Sequence, residues 1–226
     1  MKSPKSAGRI IGFLLLTHLI IGLTTPYIIL RPLNAPLTFA ANEPLNSFLV
    51  RLSVMLLFVG GGVTIAIAVA AWPIVRQFSY AMAFWVVALA VVNFSLQCVE
   101  NAAWMSMFTL SQDYAKAAPA EAGFYNLLGP TVRSAWKWVH YTHLLILVSW
   151  MFMLFLAFWR TALAPRVLAA LGLVATLLQI TGITLPQFLA YHVPMPTAMG
   201  LPLGVVYLAL SVWLMAKGFA EREKFV

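Results

Sequence analysis

Asn93, Gln97, Glu100, Asn101 and Trp104 stand at relative spacings of four, seven, eight and eleven residues. An α-helix collects that spacing onto one face. Further along, His140 and His143 are three residues apart, and Trp136, Leu147 and Trp150 continue their helical face. A carboxylate brought to two imidazoles can move protons, because each group tunes the other toward neutral pH. The same donors, Glu100, His140 and His143 with His192 as a further candidate, are suitable in type for a metal ion. A third chemistry is ligand recognition by hydrogen bonds, for which the amides of Asn93, Gln97, Asn101, Gln179 and Gln187 add donors and acceptors, and Trp104 a ring face. Haem fits poorly: two histidines three apart on one helix cannot flank one porphyrin, so His18 or His192 would have to partner one of them.

The elements that must position these groups follow from composition. Of 226 residues, 62% are apolar and 9% charged, with mean hydropathy +0.91. A soluble domain would carry about a quarter charged residues. The chain is therefore a membrane protein, and disorder, a nucleic-acid surface and a secreted disulfide scaffold are excluded together, Cys98 being the single cysteine. The excess of 14 Lys and Arg over 6 Asp and Glu belongs to aqueous segments of such a chain. No phosphate-binding glycine loop, nucleophile elbow or H-E-x-x-H helix is present, and Cys98 has no thiol partner for redox work.

Uninterrupted apolar runs between charges set the count of spans, since the hydrocarbon core asks for roughly 20 residues per helix. The runs predict an all-α polytopic transmembrane helical bundle, one integral membrane domain over 1–226. Its six spans fall at about 10–30, 50–75, 79–104, 136–159, 167–190 and 197–217, the last two divided by the prolines 186, 194, 196 and 202. Lys2, Lys5 and Arg9 before the first run resemble a secretory signal, but the run is long, holds His18 and lacks a clear cleavage site, so it is retained as a helix. Nine basic residues on the side of the two termini against five on the other predict both ends in the cytoplasm. The long connections, 31–47 and roughly 106–135, then lie outside.

Polar groups inside a span are costly unless they face other helices. Glu100 lies roughly 30 Å from a helix start at Ser79, where a carboxylate either snorkels to the headgroups or is buried with a partner. His140 and His143, roughly 6 and 10 Å below Trp136, share that level. With Thr176, Gln179, Gln187 and His192 from the fifth span and Thr24, Thr25 and Tyr27 from the first, a polar cavity opening outward is expected. His18 is expected to stand apart as a packing residue, and Gly60, Gly61 and Gly62 to allow close helix approach.

The stretches Gly8-Arg9-Ile10-Ile11-Gly12, Asn46 to Arg51, and Ala164-Pro165-Arg166 followed by Leu168 and Gly172 resemble a bacterial family of six-span integral membrane proteins known only as a domain of unknown function. The resemblance covers most of the chain and implies the span count and the bacterial inner membrane; it implies no reaction, cofactor or site residue. Three readings stay open. One is an outward-facing pocket for a small or lipid-like ligand, in a sensor or transport-related protein. Another is a membrane enzyme using Glu100 with His140 or His143. The third is an accessory subunit of a larger membrane complex or homo-oligomer, its polar stripe serving as interhelical glue. The lipid bilayer is the partner common to all three.

Overall fold

A computed structural model of the chain describes residues 4–30, 47–193 and 196–220. Among them there is no strand, and six helices are long and apolar enough to cross a membrane. They are α1 (Pro4–Thr24), α2 (Ser47–Val75), α3 (Tyr80–Tyr114), α4 (Ala122–Thr161), α5 (Arg166–Phe188) and α6 (Leu201–Lys217). Hydrocarbon offers no partners for backbone N–H and C=O groups, so each crossing satisfies them within its own helix.

Punctuation is local. Pro26, which has no N–H to donate, lies in a wider π-helical turn over Thr25–Ile29, closed by Leu30 N donating to the Thr25 carbonyl at 2.9 Å. Ser79 stops the turn after α2 and caps α3, its Oγ accepting from Met82 N at 3.3 Å. Ala162, at φ 51°, ends α4 in the left-handed region, and Pro165 precedes α5.

Each helix packs on its neighbours in sequence, and α1 also packs on α6, so the six form a closed ring. The first turns of α1 and the residues just after α6 meet at one face, here the terminal face. There Arg9 reaches the Ala216 carbonyl, and Ala220 N donates to the Leu163 carbonyl at 3.1 Å. Across the ring, the fully buried Trp150 of α4 meets His18 of α1, with ring centroids 6.1 Å apart. Lipid-facing sides are apolar, as at Phe13, Phe84, Val174 and Val205.

Gly8 and Gly12, four apart on α1, let its backbone touch the end of α6. A Cβ on Gly12 would stand 2.7 Å from Met215 N and 2.8 Å from the Ser211 carbonyl oxygen. Because those atoms are backbone and cannot swing aside, Gly12→Ala is expected to cost about 1–3 kcal/mol. Thermal unfolding in detergent checks it, with Gly22→Ala as the neutral control, since nothing lies near that position.

The expected outer connection at 106–135 is corrected by the structure: α3 runs to Tyr114 and α4 begins at Ala122. Residues 105–114 contain neither proline nor glycine, so charge alone gave no reason to end the helix. Pro130 is tolerated within α4. At about 1.5 Å per residue these helices exceed the hydrocarbon thickness, and their ends form a hairpin beyond the face opposite the termini, here the loop face. Most of the other long connection, 31–46, lies outside the described residues.

Candidate functional site

Asn93, Gln97, Glu100, Asn101 and Trp104 are all buried on the inner side of α3. Turned to lipid, their polar atoms would have no partners. The stripe divides sideways. Gln97 Nε2 donates to Asn101 Oδ1 at 3.0 Å, and Asn101 Nδ2 donates to the Val54 carbonyl of α2 at 3.2 Å, which ties α3 to α2. Gly61 permits this approach, its Cβ position lying 3.0 Å from the Phe94 ring and 3.2 Å from Gln97 Cγ.

Glu100 turns the other way, to α4. His140 Nδ1 lies 2.8 Å from its Oε1 and His143 Nδ1 lies 2.6 Å from its Oε2. The spacing of three carries the two rings on successive turns of one face, so each reaches a different oxygen of one carboxylate. Glu100 is thus buried and paired rather than snorkelling, with its side chain 6% exposed.

The network continues inward. His143 Nε2 lies 3.0 Å from Asn93 Oδ1, Asn93 Nδ2 donates to Thr64 Oγ1 at 3.2 Å, and Thr64 Oγ1 donates to the Gly61 carbonyl at 2.7 Å. Thr64 was not singled out by the sequence, where it is one hydroxyl in an apolar run. On the other side His140 stacks on Trp136, centroids 5.2 Å apart and planes 20° apart, and Trp136 meets Trp104 at 4.7 Å. His140 is the exposed member of the network, its side chain 28% accessible, whereas Glu100, His143, Asn93 and Thr64 are buried. The Nε1 of Trp136 is buried without a hydrogen-bond partner.

Other candidates fall elsewhere. Gln179 packs beside Gly200, before α6, and Gln187 is half-buried near the end of α5; neither hydrogen-bonds to the Glu100 network. His192 is exposed after α5. Tyr27 is exposed, and Thr24 Oγ1 donates back to the Ile20 carbonyl at 2.7 Å. Among the described residues no group of three His, Cys, Asp or Glu is placed to hold a metal ion. The Nδ1 atoms and both carboxylate oxygens point at each other, so the pairing uses the atoms a cation would need. His18 is a hydrogen-bonded packing residue, as expected: its Nδ1 lies 3.2 Å from the Tyr207 hydroxyl and its ring packs on Trp150.

The sequence pattern called Domain of unknown function (DUF4386) matches residues 10–218. The chain belongs to the DUF4386 family. That match runs from Ile10 within α1 to just past the end of α6 and takes in every member of the Glu100 network. No curated protein and no solved structure matches it. What this DUF4386 protein has at its centre is therefore read from chemistry: a carboxylate with a hydrogen bond on each oxygen, one imidazole sealed inside and one at the edge.

Proposed function

We propose that this multi-pass membrane protein is a non-catalytic binding protein of the bacterial inner membrane, with both termini cytoplasmic, that takes a small or lipid-like molecule at its loop face as a sensor or transport component. The observation that supports this is the position of His140. Its Nδ1 is committed to Glu100, which fixes the tautomer and leaves Nε2 as an acceptor at the partly open edge of an otherwise buried network. A hydroxyl or amide on the ligand's head would donate to Nε2, against the flat support of Trp136. The apolar remainder of the ligand would run along the lipid-facing helices.

An acid–base enzyme would use the same imidazole but also needs a nucleophile and donors for developing charge. The hydroxyl in this network, Thr64, is buried and donates to Gly61, which favours binding over catalysis.

The test is extraction. Protein captured from native membranes into nanodiscs is extracted with organic solvent and the amphiphiles counted by mass spectrometry. Close to one amphiphile per chain is expected, falling about tenfold in His140→Ala, a loss of roughly 1.4 kcal/mol of binding. Ser95→Ala, on the exposed side of α3, should retain it. Equal amounts in all three proteins would remove the proposal.

A further inference from the structure

The order of hydrogen bonds around His143 determines where its protons are. Thr64 has one hydroxyl hydrogen, and it is used at the Gly61 carbonyl, 2.7 Å away. Thr64 Oγ1 can therefore only accept from Asn93, so the Asn93 amide presents its NH2 group to Thr64 and its oxygen to His143. An amide oxygen cannot donate. His143 must then carry a hydrogen on Nε2, while the 2.6 Å contact between its Nδ1 and Glu100 Oε2 holds another. His140 supplies the hydrogen at Oε1. The Glu100–His143 pair thus contains one proton more than a neutral Nδ1–H imidazole beside a carboxylate.

We infer that the Glu100–His143 contact is a proton-binding site whose occupancy is read by α2 through Asn93 and Thr64. When the proton leaves to water, His143 keeps the hydrogen on Nδ1, where the carboxylate requires it, and Nε2 becomes a bare acceptor. Asn93 must then turn its amide over so that the NH2 group meets Nε2. Its oxygen now faces Thr64, whose hydroxyl leaves Gly61 to donate to it. One proton released at α4 is in this way converted into one hydrogen bond removed from the backbone of α2. Threonine bonding back to its own helix bends it. Here the affected carbonyl lies within Gly60-Gly61-Gly62, where α2 presses on Phe94 and Gln97 of α3.

The titratable groups around the pair are His140 and Tyr141 on α4, His18 on α1, and Tyr207 on α6, which bonds to His18. On α2 the neighbour is the uncharged Thr64, and Arg51 lies exposed more than three turns away along that helix. His140, at the partly exposed edge, is where water reaches the cluster. This device does not depend on ligand binding at His140.

Nitrogen NMR of ¹⁵N-histidine protein in nanodiscs tests it, because four histidines give a spectrum that single His→Gln variants assign. At the acid end of the titration His143 Nε2 should carry the hydrogen that the Asn93 oxygen requires. On raising pH it should lose its hydrogen, and the Asn93 side-chain amide signals of protein also labelled at asparagine should change with the same midpoint. In Thr64→Val the protonated arrangement loses two hydrogen bonds and the deprotonated one loses one, so the midpoint should fall by about one unit, a tenfold weaker hold on the proton. Thr64→Ser should restore it. Nε2 without hydrogen at every pH from about 5 upward, Asn93 signals that do not follow His143, or an unchanged midpoint in Thr64→Val would each overturn the inference. Should Thr64→Val fail to fold, the first two readouts on the unaltered chain decide it alone.

Discussion

Glu100→Leu is expected to lower the stability of the bundle by about 3–5 kcal/mol, the range found when one member of a buried, hydrogen-bonded charge pair is removed. Leucine takes both acceptors from two imidazoles whose Nδ1 atoms have no other partner among the described residues, and His143 is sealed in the bundle. Glu100→Gln is expected to cost far less, about 0.5–1.5 kcal/mol. Its oxygen can accept from His140 Nδ1 while its NH2 group donates to a neutral His143, which still donates from Nε2 to Asn93. The glutamine is thus a proton-free copy of the site. Thermal unfolding in one detergent, read by tryptophan fluorescence, compares the two. The ordering Leu much worse than Gln is the signature of a paired carboxylate; equal and small losses would mean that Glu100 contributes through neither charge nor hydrogen bonds.

Much of this arrangement is legible in the chain, and the parts that are not have physical reasons. The six crossings follow from the distances between charges, because the bilayer penalises each charge in a span. The inward turn of Asn93, Gln97, Glu100, Asn101 and Trp104 follows from helical spacing alone, as does the common face of His140 and His143. That Glu100 meets both histidines needs α3 and α4 to agree in depth, and a very short turn gives only the start of α3. α4 itself begins at Ala122, well before Trp136, yet the residues reach one level, because depth counted from Trp136 concerns the membrane and not the helix end. Depth alone groups Gln179, Gln187 and His192 with them as well, and depth says nothing about azimuth: in a ring of six, α5 is separated from α3 by α4. Thr64 had no pattern to mark it, since one threonine among apolar residues usually bonds only to its own helix. The packing role of His18 is legible in the chain, but its partner is not: Tyr207 is 189 positions away, and ring closure between α1 and α6 is a tertiary fact.

Trp104→Ala should be the other large effect, about 3–5 kcal/mol, the usual cost of truncating a fully buried tryptophan. Trp104 is 1% exposed, packed with Leu30, Val50, Leu57, Met107 and Phe108 in a small apolar cluster near the loop face. Its consequence for the site is specific. Trp104 supports Trp136, and Trp136 is the surface on which His140 is stacked, so the ring at the edge of the network is held from one side by Glu100 and from the other by two indoles. Removing the first indole lets the second tilt, and His140 then depends on its one hydrogen bond for orientation. Trp104→Phe keeps an aromatic face and should recover more than half of the loss. A double-mutant cycle with His140→Ala separates packing from positioning. If Trp104 acts on the site, the two changes together should cost at least about 0.5 kcal/mol less than their sum; strict additivity would mean that the indole pair stabilises the loop face without holding the imidazole.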